Sequence, residues 1–362
     1  MAFSLDEFLD PAEHDARSHT GVPGVSSFYG DGGLGDVVLN SLLETSGDRN
    51  YNTLEVQGAG VIAATAGRKL VIRAIGNITV DGAIHADGRG FPGTAGGQGG
   101  SGAGSPGFVG GASPLNGSPA MTGGGAGGGG GGTGSAGGDA LDQNFYRSTF
   151  ASLDLNPLLA GGTPGGGGLP GNTGTSPAGG INSDELARYA TNFGAKYRAD
   201  SPLGRGGTGG GGGGAHPSLG GTGGAGGAAG SQTGANLGNG GNGVAGLADG
   251  GGGGGGGGAG GGDLEVWCGA DLTVGSGGRI SARGGNGGNS GDTSGANASQ
   301  GGGGAGGGGG GGFVGAFYAG ALSNLGSIDA NAGTSGSIAG APGRDGGSAG
   351  TPSAGVALIV AV

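Results

Sequence analysis

Side chains able to do chemistry fall in a few patches of this sequence. His14, Asp15 and His19 place two imidazoles and a carboxylate close together, a ligand set that suits zinc or a similar ion. The stretch around them is polar, and a solvated arm with no bound metal is expected. Asp81, His85 and Asp87 lie on one face of an alternating segment. A hydrolase would use two such acids across a cleft lined by aromatic side chains. Aromatic residues are only 5% of this chain, so the three are expected on a solvated outer face. Gly67-Arg68-Lys69 lacks the hydroxyl residue and the upstream glycine of a phosphate loop. Gly100-Ser101-Gly102 and Gly117-Ser118 sit in low-complexity sequence, not on the strand–turn–helix that a nucleophile elbow requires. No catalytic residue, metal ligand or cofactor site is assigned, and no enzyme is expected. The one cysteine, Cys268, has no partner for an internal disulfide, and its Leu-Glu-Val-Trp-Cys setting predicts a buried thiol.

The elements that would position these residues are short strands. Leu54 to Ala63 and Leu70 to Gly88 alternate apolar and polar residues, which predicts strands. From Ile78 to Gly88 every even position is apolar or glycine, leaving Thr79, Asp81, His85 and Asp87 on the other face. The pattern returns at Leu264–Cys268, Leu272–Val274 and Gly278–Gly284, and again at Phe313–Tyr318, Leu322–Leu325 and Gly326–Ala332. The shared core reads Gly-x-Ile-x-Ala-x-Gly/Ala. Val356–Val362 is a last strand, and Asp36–Leu43 is either a strand or a helical turn. Units of this kind stack, because one alone cannot bury its apolar face. The expected fold is mainly β and irregular: a small repeated strand core, solenoid or sandwich-like.

Glycine dominates the rest, with 114 of 362 residues, against a globular average of about 7%. No Gly-X-Y register with abundant proline is present, which excludes collagen. Residues 204–262 carry hardly a side chain larger than alanine. Such a stretch is either a flexible linker or a set of polyglycine-II helices, with three residues per turn and every N–H and C=O directed outward. Thr222, Ala225 and Ala228 are three apart, as are Asn286 and Asn289, which puts side chains on one edge and bare glycine on the others. The glycine tracts, roughly 90–140, 160–182, 202–262, 284–312 and 331–355, leave after a Gly or Ala and return before an apolar strand. Floppy loops of that length are unusual in a compact domain, so packed polyglycine-II helices are expected. Two segments interrupt the glycine, and short α-helices are predicted at about 139–155 and 183–198. In the second, Ser183 caps the start and Leu186, Tyr189, Phe193 and Tyr197 share a face.

The chain divides into an N-terminal arm, 1–50, and a glycine-rich body, 51–362. Formal net charge is −11 and there is no basic stripe, so nucleic acid is not an expected partner. The start, MAFSLDEFLDPAEHD, lacks a basic n-region and an apolar h-region. The final VALIVAV is too short to span a bilayer, so no membrane insertion is expected. A protein working outside the cell without an export signal would be released by lysis, as virion parts are.

Gly206–Gly227 (GGTGGGGGGAHPSLGGTGGAGG) and Gly301–Tyr318 (GGGGAGGGGGGGFVGAFY) resemble the glycine-rich distal adhesins of tailed phages. The alternation of Gly76–Gly90 (GNITVDGAIHADGRG) is similar to glycine-rich β-repeat appendage proteins of phages. The His19–Val25 stretch resembles the arms that attach such appendages to the virion. GGNGGN is also similar to mycobacterial glycine-rich repeat surface proteins, whose helical N-terminal domain is not evident in residues 1–90.

The phage resemblance implies a polyglycine-II sandwich in the virion, on tail or capsid surface, with tip loops contacting the host. It makes His14, His19, Gly21, Val22, Pro23, Gly24 and Val25 the candidate attachment arm to other virion proteins. Phe91, Pro92, Leu115, Asn116, His216 and Pro217 become candidate contacts to a host-surface polysaccharide or protein, with Leu237–Leu247 as further contact material. The strand core is larger than a minimal tip adhesin needs, so a decoration or scaffold protein of capsid or tail is an alternative. A glycine-rich extracellular or ice-binding protein is another. A homo-oligomer, or attachment to an oligomeric fibre, is expected.

Overall fold

The computed structural model describes residues 29–90, 92–93, 95–101, 225–228, 230, 238–247, 251–292, 301–338, 348–349, 351–352 and 354–362. Fifteen strands lie in this part: β1 Asp36–Leu39, β2 Leu42–Thr45, β3 Gly47–Tyr51, β4 Thr53–Val56, β5 Val61–Ala64, β6 Leu70–Ala74, β7 Ile78–Val80, β8 Ala83–His85, β9 Asp263–Cys268, β10 Leu272–Val274, β11 Arg279–Ser281, β12 Phe313–Tyr318, β13 Leu322–Asn324, β14 Ser327–Asp329 and β15 Val356–Ala361. They form three five-stranded sheets, ordered β1-β4-β7-β10-β13, β2-β5-β8-β11-β14 and β3-β6-β9-β12-β15. Successive strands visit the three sheets in turn, so the chain makes five circuits. Every strand pair among the described residues is parallel.

Parallel in-register stacking turns each apolar position into a ladder. In the second sheet Ile62, Ile84, Ile280 and Ile328 align across β5, β8, β11 and β14. In the first, Leu54, Ile78, Leu272 and Leu322 align. These ladders meet Leu70, Ile72, Leu264, Val266, Val314 and Ala316 of the third sheet in one core. A two-residue repeat puts alternate side chains inward on every strand, and each circuit alone would leave that face wet.

Residues 36–50, assigned above to the arm, supply β1, β2 and most of β3, which pair with β4, β5 and β6. They are the first circuit of the same stack. Among the described residues there is no α-helix; the segments predicted helical at 139–155 and 183–198 lie outside them.

The links from the second sheet to the third set the outline of the molecule. In the first circuit the link is Ser46 alone, and in the second it is residues 65–69. In the next three circuits the same link is a glycine tract: 86–262, 282–312 and 330–355. Three long excursions therefore start from β8, β11 and β14, which are neighbours in one sheet, and return to β9, β12 and β15, neighbours in another.

The excursions bond to one another through their backbones with a period of three. Within 251–262, the N–H groups of Gly252, Gly255, Gly258 and Gly261 donate to the carbonyls of Gly301, Gly304, Gly307 and Gly310, at 2.9–3.0 Å. Gly253, Gly256 and Ala259 donate to a different segment, at Val244, Gly241 and Gly238. Gly251 and Gly254 donate to a third, at Gly100 and Gly97. In return Gly285, Gly288 and Gly291 donate to Ala259, Gly256 and Gly253, each at 2.7 Å. Residues 251–262 are buried along their length by neighbours that touch them mainly with main chain. A Cβ on Gly255 would stand 2.7 Å from the carbonyl carbon of Gly288, which is why side chains are missing here. Gly238 turns the chain back with φ of 77°, a conformation that glycine adopts at no steric cost.

Candidate functional site

The outer face of the second sheet holds a connected group of polar side chains. β8 ends at His85, and Asp87 follows two residues later on the same side. Both were expected to be solvated, and the structure corrects this: His85 is 5% and Asp87 3% exposed, while Asp81 is exposed. The reason is the next circuit. Register sets His85 opposite Ser281. Ser281 Oγ donates to Asp87 Oδ2 at 3.0 Å, and the Arg283 N–H donates to Asp87 Oδ1 at 2.7 Å. Arg279 Nη2 lies 3.5 Å from Asp87 Oδ2. One carboxylate thus ties the third circuit to the fourth where the glycine tracts begin. Arg283 in turn holds Asp329 of the fifth circuit, with Nε donating to Oδ1 at 2.7 Å.

The electrostatics follow from this packing. Burial pushes the His85 imidazole below its ordinary value of 6.5; Asp87 and Glu44 oppose that shift, and Arg279 and Arg89 add to it. The Asp87 N–H donates to His85 Nδ1 at 3.3 Å, so Nδ1 is an acceptor and the neutral ring carries its proton on Nε2. At Asp329 burial works against the charge, and the bonds from Arg283 overcome it and hold the carboxyl below 3.8. His85, Asp87 and Ser281 share a neighbourhood without forming a nucleophile–base pair, because the serine donates to the carboxylate and the imidazole does not receive its proton. Among the described residues no group of three or more His, Cys, Asp or Glu is placed to hold a metal ion.

The third sheet carries an aromatic patch on its outer face. Trp267 and Phe317 are opposite in register and stack at 3.9 Å between ring centroids, with Arg73 over the indole at 5.5 Å. Trp267 Nε1 donates to Glu265 Oε2, and Lys69 pairs with Glu265 Oε1 at 2.6 Å. Tyr29 and Val71 pack against the rings. Cys268 points the other way, into the core, as its sequence setting predicts; burial raises its thiol above the ordinary value.

The glycine segments provide the second surface. Hydrogen bonds set residues 97–100, 244–246, 251–253, 291–292 and 301 at one level, far from the strands. Connections 102–224, 248–250 and 293–300 therefore start and finish at that distal end. Val244 and Leu247 are 55% and 64% exposed there. Pro92 is half-buried at the opposite end, beside the bonds from Gly90 to Gly260 and from Gly93 to Gly230. His14, His19, Gly21, Val22, Pro23, Gly24, Val25, Phe91, Leu115, Asn116, His216 and Pro217 lie outside the described residues.

On the flank, side chains appear at every third residue. Asn239 Oδ1 accepts from the Asn286 N–H at 2.8 Å, and Asn286 Oδ1 from the Thr334 N–H at 2.8 Å. Asn242 Oδ1 accepts from Asn289, and Asn289 Oδ1 from Ser337, both at 2.9 Å. The Asn286–Asn289 spacing is visible in the sequence. Its partners are not, because each lies 47 or 48 residues away.

No protein-family model matches the chain, and no curated protein and no solved structure matches it.

Proposed function

We propose that this protein is a virion structural protein, a phage tail or fibre component that binds the host surface and catalyses no reaction. In this reading the five circuits are a β-solenoid and the glycine segments are a sheaf of polyglycine-II helices standing on it. The observation that carries it is the three-residue period of the bonds around 251–262. Three residues per turn is the geometry of that helix, and a backbone-bonded bundle is stiff without large side chains. A stiff body suits a protein that must hold contact residues away from a particle. The connection 102–224, which contains Leu115, Asn116, His216 and Pro217, leaves from the distal end, beside exposed Val244 and Leu247.

Attachment to other virion proteins is assigned to the arm that precedes Tyr29, the residue that anchors it against Trp267 and Phe317. Deleting residues 1–25 should abolish incorporation into particles while leaving a folded body; unchanged incorporation would remove the arm's role. The adhesin reading is tested by competition. Purified full-length protein should block particle adsorption to host envelope, and failure to bind any envelope fraction would refute it.

A further inference from the structure

The flank of the glycine segments has chemistry of its own. Asn239 and Asn242 project from one segment, Asn286 and Asn289 from the next, and Thr334 and Ser337 from the third; all six are exposed. Parallel bonds from Gly240 to Asn286 and from Gly243 to Asn289 keep the first two segments in step. Gly284 to Asn331 and Gly287 to Thr334 do the same for the second and third. Two rows of three side chains result, separated along the segments by about 9 Å at 3.1 Å per residue.

Each carboxamide is already fixed by its oxygen. The atom that receives a backbone N–H must be Oδ1, so the amide nitrogen is the free end. Among the described residues, Nδ2 of these four asparagines has no hydrogen-bond partner. The face therefore offers N–H donors and the Thr334 hydroxyl at fixed positions, the Ser337 hydroxyl being donated to Asn289 Oδ1 at 3.0 Å, with little side-chain freedom left to lose on binding. Among the described residues it holds no free cation: Arg283, in the row nearest the strands, is committed to Asp329. The whole chain has a net charge of −11, which repels polyanions.

We propose that this asparagine and hydroxyl face binds an extended, neutral, oxygen-rich polysaccharide along the segments. Uncharged acceptors repeated along a stiff chain are the chemistry that matches fixed donors in rows. The proposal rests on the adhesin reading for its biological setting, and its test is separate. Asn242→Asp with Asn289→Asp keeps the acceptor that the Asn289 and Ser337 N–H groups use, and removes two of the four free carboxamide donors. Thr334→Val removes one hydroxyl while keeping the side-chain shape.

Affinity electrophoresis of the full chain is run in gels containing galactomannan, xyloglucan or dextran, with alginate as the anionic comparison. The wild type should be retarded by at least one neutral polymer and not by alginate. The double variant should bind at least about tenfold more weakly, or about 1.4 kcal/mol, with an unchanged melting temperature, and Thr334→Val should weaken binding severalfold. A wild type retarded by none of the neutral polymers overturns the proposal, and so does a double variant that binds as tightly as the wild type. Protein that blocks adsorption to envelope yet ignores every polymer removes this face and leaves the adhesin reading standing. Retardation sensitive to the double variant, without envelope binding, supports the face and refutes the adhesin.

Discussion

Gly255→Ala tests whether main-chain contact holds the glycine segments together. The added Cβ would overlap the Gly288 carbonyl oxygen, its nearest neighbour, and would sit 2.7 Å from the Gly288 carbonyl carbon and 2.8 Å from the Asn289 oxygen. Carbon atoms in contact prefer about 3.5–4.0 Å, so the two segments must part by at least about 1 Å. Three bonds join them, from Gly285, Gly288 and Gly291, each at 2.7 Å, and parting by that much takes them out of hydrogen-bond range. At about 1 kcal/mol net for each, the loss is about 3 kcal/mol. Gly58→Ala is the control, since nothing lies within 4 Å of its Cβ and its φ is not positive. That change should be neutral or slightly stabilising, by less than about 1 kcal/mol. Alanine itself is tolerated where the packing leaves room: Ala259 and Ala305 are natural residues of these segments and fully buried. Denaturation midpoints measure the stability, and amide exchange across 251–262 and 284–292 locates the damage. If Gly255→Ala melts with the wild type and its glycine amides exchange no faster, close backbone packing is not what orders these segments.

Two further perturbations probe the strand core. Above pH 6.5 neutral His85 contributes its full stability; as pH falls below that value the unfolded chain gains a proton that the folded chain resists, and stability drains towards the lowered folded pKa. Replacing His85 with Gln should flatten this slope, which is at most about 1.4 kcal/mol per pH unit; parallel midpoint-against-pH curves for the two proteins would contradict it. Phe317→Leu removes the ring stacked on the single tryptophan and should cost about 0.5–1.5 kcal/mol beyond the lost area. The Trp267 emission should move to the red, and an unchanged spectrum and midpoint would dismiss the stack as a stabilising contact.

The last three circuits were legible because their pattern is literal. Gly82–Gly88, Gly278–Gly284 and Gly326–Ala332 share one motif, and it maps onto β8, β11 and β14 with the residues that flank each. The first circuit was not legible. Its second-sheet strand reads Leu-Leu-Glu-Thr, it lacks the glycine and isoleucine of the motif, and a single residue joins β2 to β3. Without a glycine tract to mark its corner, it reads as part of the arm. Alternation placed His85 and Asp87 on the outer face correctly and missed their burial. What closes that face is Ser281 and Arg283, 194 and 196 residues beyond Asp87, and no local pattern reports a partner at that distance.

The same topology explains why the described glycine segments, which would be linkers elsewhere, form a regular hydrogen-bonded array here. Fixing a residue costs about 1–2 kcal/mol of backbone entropy, and glycine loses the most freedom of all. An isolated tract has only water to bond with. In this protein β8, β11 and β14 are adjacent strands, about 4.8 Å apart as in any sheet, and each hands its tract to the same corner. Backbones launched side by side at that spacing are already within reach of one another, and residues 262, 312 and 355 are held by the start of β9, β12 and β15. Bonds such as Gly262 to Ala86 and Gly312 to Ala282 close each excursion onto its own base. The strand core thus acts as the template, and glycine is required only where a side chain would force the aligned backbones apart. Asparagine and threonine return on the flank, where they are exposed and no further described backbone competes for the space.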